Sequence, residues 1–298
     1  MSAEGIPISE VIFTRRLMEG PNYQDRIERN YEVGVHQDGI VGFWRELSEF
    51  LPKYGLHPIH EITCVGTVYF DNRDFDLTRY TVLNGGRRML VRLRTYENYG
   101  ELPKPISEYW MEVKIRDNEG WRKKRLRLSR LGLLNFLEAG DGAQSVLNDN
   151  QSDTDPQLIR NLYRETQELI LTMGLKPNFL LTYKRIAFQS ETERVSLDWD
   201  IQYYHVDTNV YFFNSWKYPL GQPAGISHKI ILELKYPQGT LPAWIAELEK
   251  RYPIQETGFL KFVEGMGFLF QGPLKNQKEA DSFLQLIEGY GGESRSLG

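Results

Sequence analysis

In six stretches of this chain, charged and apolar residues alternate at the two-residue period of a β-strand. Arg88, Arg92 and Arg94 share one face, with Met89, Val91 and Leu93 on the other. Glu112, Lys114 and Arg116 oppose Met111, Val113 and Ile115, and Lys123, Arg125 and Arg127 oppose Leu126 and Leu128. Arg194, Ser196, Asp198 and Asp200 oppose Val195, Leu197, Trp199 and Ile201. Glu233 and Lys235 oppose Leu232 and Leu234, and Arg26, Glu28, Asn30 and Glu32 oppose Ile27, Tyr31 and Val33. A solvated outer face explains any one of these stretches. Solvent faces usually mix in Ser, Thr, Gln and Asn, whereas here Arg-x-Arg, Glu-x-Lys and Lys-x-Arg repeat. That repetition suits a sheet curved onto itself with its charged faces inward.

An enclosed face of this kind is unstable bare, because unpaired buried charge is costly. It calls for an anion of high charge density, water and a divalent metal. A chain of phosphates fits: each oxygen takes charge-assisted hydrogen bonds, Arg as a fork and Lys as a point charge. Carboxylates on the same face suit Mg²⁺ or Mn²⁺ bridging to the phosphates. The charge distribution agrees. The 298 residues carry a formal −4, yet Asn84 to Arg130 holds 13 Lys and Arg against 6 Asp and Glu, a local +7. An acidic chain overall argues against a coat for nucleic acid or membrane surfaces.

Strands are expected over 26–35, 61–70, 88–97, 108–116, 123–129, 179–188, 194–203 and 229–236. The 13% aromatic content suits strands. Helices are expected over 40–54, 131–139, 156–173, 241–249 and 278–288. Asp71-Asn72-Arg73-Asp74 reads as a polar turn, and Asp117-Asn118-Glu119-Gly120 as a hairpin turn. Residues 140–156 are Asp-rich and read as a flexible insertion; Asp149, Asp153 and Asp155 lack the pattern of a calcium loop. The expected organisation is an N-terminal extension over 1–23, one domain over 24–290, and a disordered tail over 291–298. At least eight hairpin-linked strands with a few helices make an α+β protein built on an antiparallel barrel or strongly curved sheet.

The single cysteine, Cys64, excludes an internal disulfide and a Cys-based zinc cluster. No signal peptide or membrane span is evident, so a cytoplasmic location is expected. The sequon Asn150-Gln151-Ser152 then has little meaning. His36, His57, His60, His205 and His228 show no metal-ligand spacing. There is no P-loop, Gly-x-Gly-x-x-Gly fingerprint or Gly-x-Ser-x-Gly elbow, so any ATP would be held by its phosphates without a P-loop. The aromatics Tyr203, Tyr204 and Tyr211 to Phe213 read as packing, with nucleobase stacking as the lesser alternative.

Seven short motifs lie in order along these strands: Arg-Ile-Glu-Arg-Asn-Tyr-Glu-Val (26–33), Val-Tyr-Phe-Asp (68–71), Val-Arg-Leu-Arg-Thr-Tyr (91–96), Met-Glu-Val-Lys (111–114), Tyr-Lys-Arg-Ile-Ala-Phe (183–188), Arg-Val-Ser-Leu-Asp (194–198) and Leu-Glu-Leu-Lys (232–235). The series resembles the polyphosphate polymerase domain of the vacuolar transporter chaperone (VTC) family, within the triphosphate tunnel metalloenzymes, over residues 24–270. The resemblance implies an eight-stranded antiparallel β tunnel barrel with peripheral helices and a polyphosphate or tripolyphosphate in its lumen. It implies transfer of the terminal phosphoryl group of ATP to a growing polyphosphate, with Mn²⁺ or Mg²⁺ as cofactor. Carried onto this chain, the phosphate-binding set is Arg92, Arg94, Lys114, Lys123, Arg185 and Lys261. Arg92, Arg94, Lys114, Arg185 and Glu233 would be catalytic, with Glu233 also the metal ligand. Arg125, Arg194, Asp198 and Lys235 would support them on the lumen face. Strand parity favours Lys123 over Lys124.

One position departs from the pattern: Asn30 stands where the family usually has Lys. Arg29 has the wrong parity to replace it, and Arg26 reaches in only from the strand's start. A triphosphatase or polyphosphatase of the same fold, and a polyphosphate-binding module without turnover, therefore stay open. The membrane segments of the eukaryotic polymerase are not seen here, so coupling to translocation would need a membrane partner.

Overall fold

A computed structural model describes residues 26–84, 87–117, 120–138, 143–150, 155–206, 215 and 220–293. The expected extension over 1–23, the tail beyond 293 and the aromatics Tyr211 to Phe213 lie outside these residues. The strands are β1 (Arg26–Val33), β2 (His57–Pro58), β3 (Thr63–Asp71), β4 (Arg88–Asn98), β5 (Glu108–Asp117), β6 (Gly120–Ser129), β7 (Lys176–Gln189), β8 (Arg194–His205), β9 (Gly225–Ser227), β10 (Ile230–Pro237) and β11 (Ile254–Thr257). The helices are α1 (Ile40–Phe50), α2 (Asp76–Leu83), α3 (Arg130–Leu137), α4 (Ala143–Asp149), α5 (Pro156–Thr172), α6 (Ala243–Arg251), α7 (Lys261–Gln271) and α8 (Ala280–Glu293). The eight long strands are the eight expected from the sequence; β2, β9 and β11 have two, three and four residues. The protein is α+β, with a predominantly antiparallel sheet.

The contacts group into two compact units. In the first, made of the described residues of 68–95 and 106–178, the strand order is β3-β4-β5-β6. Its apolar face carries Met89, Val91, Leu93, Met111, Val113, Leu126 and Leu128, all buried. Helices α3, α4 and α5 pack against β6. Helix α5 starts where Asp155 accepts a hydrogen bond from the Gln157 N–H at 2.9 Å and Pro156 takes the first helical position. It buries Leu162, Tyr163, Thr166, Leu169 and Ile170, the spacing of one helical stripe.

In the second unit, made of the described residues of 26–67, 96–105 and 179–293, the order is β11-β1-β10-β8-β7, with β2 on β7 and β9 on β8. Tyr31, Val33, Ile186, Phe188, Val195, Leu197, Trp199, Ile230, Leu232, Leu234 and Tyr236 form its apolar face. Phe43, Leu47 and Phe50 of α1 and Trp244, Ile245 and Leu248 of α6 cover that face. Each such side chain contributes roughly 1.5–3 kcal/mol by leaving water. In both units, then, the apolar faces are taken, and charge occupies the opposite ones.

Four expectations change. The helix over 40–54 ends at Phe50, because Pro52 has no N–H to continue it; a 3₁₀ turn over Leu51–Tyr54 closes on Gly55 at φ 76°. The turn at Asp71 to Asp74 leads into α2, whose Leu77 and Thr78 N–H groups donate to the Asp71 carboxylate at 3.0 Å each. The insertion over 140–156 contains α4. Its polar residues grip the edge strand β6: Asn150 Nδ2 donates to the Arg127 carbonyl at 2.8 Å, and the Arg127 N–H donates to Asn150 Oδ1 at 3.1 Å. Helix α7 was not expected, since Gly265 and Gly267 depress helix propensity. Gly265 is needed all the same, because a Cβ there would meet Phe179 at 2.7 Å and Tyr203 at 2.8 Å.

Candidate functional site

Register builds the charged face of the first unit. Glu112 lies between Arg92 on β4 and Arg125 on β6, Lys114 between Leu90 and Lys123, and Trp110 between Arg94 and Arg127. The β4 arginines and the central carboxylate of this face are withdrawn from bulk water: Arg88, Arg92 and Arg94 are each 8% exposed and Glu112 is 0% exposed, while the β6 cations stand nearer the solvent. Glu112 is the hub. Arg92 Nε lies 2.8 Å from one of its oxygens and Lys123 Nζ 2.5 Å from the other, with Arg125 Nη1 at 4.0 Å. Burial alone would raise the Glu112 carboxyl, but the cations of Arg92, Arg94 and Lys123 hold it well below the usual carboxylate range. Burial, helped by Arg92 and Arg94, pushes Lys123 down to about 7 against the pull of Glu112. Arg92, Arg94, Lys114, Lys123 and Arg125 thus share a face around one carboxylate, an excess of positive charge suited to an anion. Lys124 turns to the other side and meets Glu165 of α5 at 3.8 Å.

The second unit has its own charged face, in three register rows. Glu28, Lys235 and Arg194 form one, Asn30, Glu233, Ser196 and Ala187 the next, and Glu32, Ile231, Asp198 and Arg185 the third. Asp198 is 0% exposed and anchors two cations. Arg185 grips it with both prongs at 2.6 and 2.7 Å, and Lys261, the first residue of α7, reaches it at 2.8 Å. Burial opposes the charged form of Asp198, but Arg185 and Lys261 keep its carboxyl below the ordinary value. The half-buried Arg185 and Lys261 are in turn held charged, desolvation being outweighed chiefly by Asp198. Lys235 Nζ lies 2.9 Å from Glu233 and 3.8 Å from Glu28. Arg194 makes no ion pair within 4.0 Å among the described residues. Burial and the neighbouring Arg185 lower its pKa, which leaves a cation short of counter-charge.

The Asn30 position now has a structural setting. Asn30 Nδ2 donates to the Phe259 carbonyl at 3.4 Å, while Oδ1 is buried without a hydrogen-bond partner, in the row that holds Glu233. A buried oxygen left so wants a donor or a cation. Arg29 turns away, to Glu256 at 2.8 Å, as its parity required. The side chain of Arg26 lies outside the described residues.

Every strand residue expected at the site falls on one of the two charged faces, and Lys261 reaches the second from α7. Glu112, flanked in register by Arg92 and Arg125 and visible in the Met-Glu-Val-Lys motif, is a site residue that the resemblance does not single out. Lys261 gains its element, α7, only in the structure. Among the described residues, no three His, Cys, Asp or Glu side chains gather as a ready metal shell. Mg²⁺ and Mn²⁺ bound to phosphates need only one or two carboxylates and keep several waters, so Glu233 beside the orphaned Asn30 oxygen fits such an ion.

Comparison with known proteins agrees with these motifs. The chain is 23% identical over 287 residues to vacuolar transporter chaperone complex subunit 4 of Schizosaccharomyces pombe, covering 84% of this chain and 38% of that protein. It is 26% identical over 204 residues to subunit 2 of the same complex from Saccharomyces cerevisiae, covering 63% of this chain and 24% of that one. The chain thus spans well under half the length of these relatives. Among solved structures, a candidate adenylate cyclase from Bacillus halodurans superposes with a TM-score of 0.41 at 16% identity, over 80% of this chain and 96% of that one. The model of the VTC domain matches residues 19–270, most of the chain and all of both charged faces, and the chain belongs to the VTC domain family.

Proposed function

We propose that this chain is a polyphosphate polymerase. It would bind polyphosphate and the triphosphate of ATP on its charged faces and move the terminal phosphoryl group of ATP onto the polyphosphate. One observation carries the reading: on the first face Arg92, Arg94, Lys114, Lys123 and Arg125 surround the one fully buried carboxylate of Glu112, more positive charge than it neutralises, in a member of the VTC family.

Arg92, Arg94, Lys114 and Lys123 neutralise phosphate oxygens. Arg185 and Lys261, fixed by Asp198, meet the charge that develops in the transition state without having to reorganise. Arg194, lacking an ion pair, takes a further oxygen, and Lys235 supports Glu233. Glu233 and Asn30 Oδ1 would hold Mn²⁺ or Mg²⁺, which when bound draws charge from the phosphoryl oxygens. No protein nucleophile is required: the terminal phosphate of the bound chain attacks, and catalysis is positioning with charge neutralisation. The relatives are named as subunits of a complex, which supports partner subunits for this chain; a membrane partner and a cytoplasmic site of action belong to the proposal itself. No helix among the described residues is long and apolar enough to cross a membrane.

Asn30 favours a second reading, a polyphosphate-binding module without turnover. Incubation with ATP and Mn²⁺ decides between them. Long-chain product on a gel is expected; tight binding with neither product nor phosphate release would leave the binding module. Orthophosphate released from tripolyphosphate without chain growth would select a triphosphatase. Glu233→Gln should abolish metal-dependent turnover while tripolyphosphate binding survives. Full activity of that variant at saturating metal would remove Glu233 from the metal site.

A further inference from the structure

We propose that Trp110 and the Arg125 guanidinium laid on it form a stacking plate for a nucleobase, beside the cations that take the phosphates of the same nucleotide. The Arg125 guanidinium carbon lies 3.8 Å from the centroid of the Trp110 ring. The ring is held from its edge: Trp110 Nε1 donates to Glu108 at 2.7 Å, and Glu108 is itself gripped by Arg127 at 2.6 Å. Arg125 differs from its neighbours in what positions it. Arg92 and Lys123 close on Glu112 at 2.8 and 2.5 Å, whereas Arg125 stops at 4.0 Å and lies on the indole instead.

A guanidinium held over an aromatic ring leaves its outer side to a ligand, and planar cations stack on nucleobases much as aromatic rings do. Its side chain is 44% exposed, while the Glu112 side chain is 0% exposed, so the plate stands at the wetter border of the same face. One register step separates the plate from the phosphate-binding group: Trp110 precedes Glu112 by two residues and Arg125 follows Lys123 by two. Two residues of strand rise about 7 Å, a span that a ribose can bridge. An inorganic polyphosphate has no ring to place there, so the plate distinguishes a nucleotide from a bare phosphate chain. Stacking reads no base edge, and the plate accepts any nucleobase.

This inference rests on the phosphate-binding reading above, and titrating the full chain with ATP and, separately, with tripolyphosphate tells the two apart. Trp110→Ala should raise the Kd for ATP about tenfold and leave that for tripolyphosphate unchanged, which also shows the variant to be folded. Trp110→Phe should restore ATP affinity. Equal weakening of both ligands by Trp110→Ala, or a parent protein that binds tripolyphosphate but not ATP, overturns the plate and leaves the phosphate site standing. A parent that binds neither ligand overturns the phosphate site and the plate together.

Discussion

At the scale of single residues, the site is defined by two fully buried carboxylates, Glu112 and Asp198, each surrounded by cations. Glu112→Gln strands Arg92 and Lys123, and breaking a buried pair costs about 3–5 kcal/mol. The variant should melt well below the parent in plain buffer and recover much of the difference in tripolyphosphate, whose oxygens replace the lost charge. Identical melting without the anion would deny Glu112 its role as hub. Lys123 carries a pH signature. Its folded pKa of about 7 lies below the ordinary 10.5, so between those values the unfolded chain binds the extra proton. Stability should therefore rise with pH from about 7 to about 10, and Lys123→Met should lose that component of the slope. Tripolyphosphate favours the protonated amine, so its affinity should fall over the same range. A slope unchanged in Lys123→Met would rule out the linkage.

At the scale of elements, alternation made the long strands legible, and the even positions of β5 and odd positions of β6 do share a face. Parity chose Lys123 over Lys124 for the charged side, and Lys124 meets α5 instead. Helix α7 was hidden because its glycines argue against a helix locally, while the reason for Gly265 lies far away in the chain, in Phe179 and Tyr203. Gly265→Ala should cost about 1–3 kcal/mol through overpacking, read as a lower Tm. It should also weaken tripolyphosphate binding, since Lys261 lies one turn earlier on the same helix. A variant as stable as the parent would mean that the rings give way freely. Helix α4 was hidden for another reason: Asp and Asn usually mark loops, but here Asp149 and Asn150 satisfy backbone groups of β6.

At the scale of the whole molecule, an acidic protein concentrates positive charge in residues 84–130 and keeps Arg88, Arg92 and Arg94 of that stretch from water in the folded state. Arg94→Ala and Lys114→Ala should each abolish tripolyphosphate binding while cooperative melting and the far-UV spectrum persist, because the apolar faces under the helices are untouched. Unchanged affinity in both variants would place these two residues outside the binding face. The family likeness was legible because the motifs lie within strands, where the spacing of contacts is written into consecutive residues.

Sequence alone determined which residues share a strand face, because the two-residue period is a local property of an extended backbone. It therefore specified both charged faces and the order of their motifs. Tertiary structure decided which charges meet: that Glu112 gathers Arg92 and Lys123, that Lys261 reaches Asp198 from a helix 63 residues later, and that Arg125 prefers an indole to a carboxylate. Those pairings depend on strand register and helix docking across long sequence separations, and no local pattern encodes them.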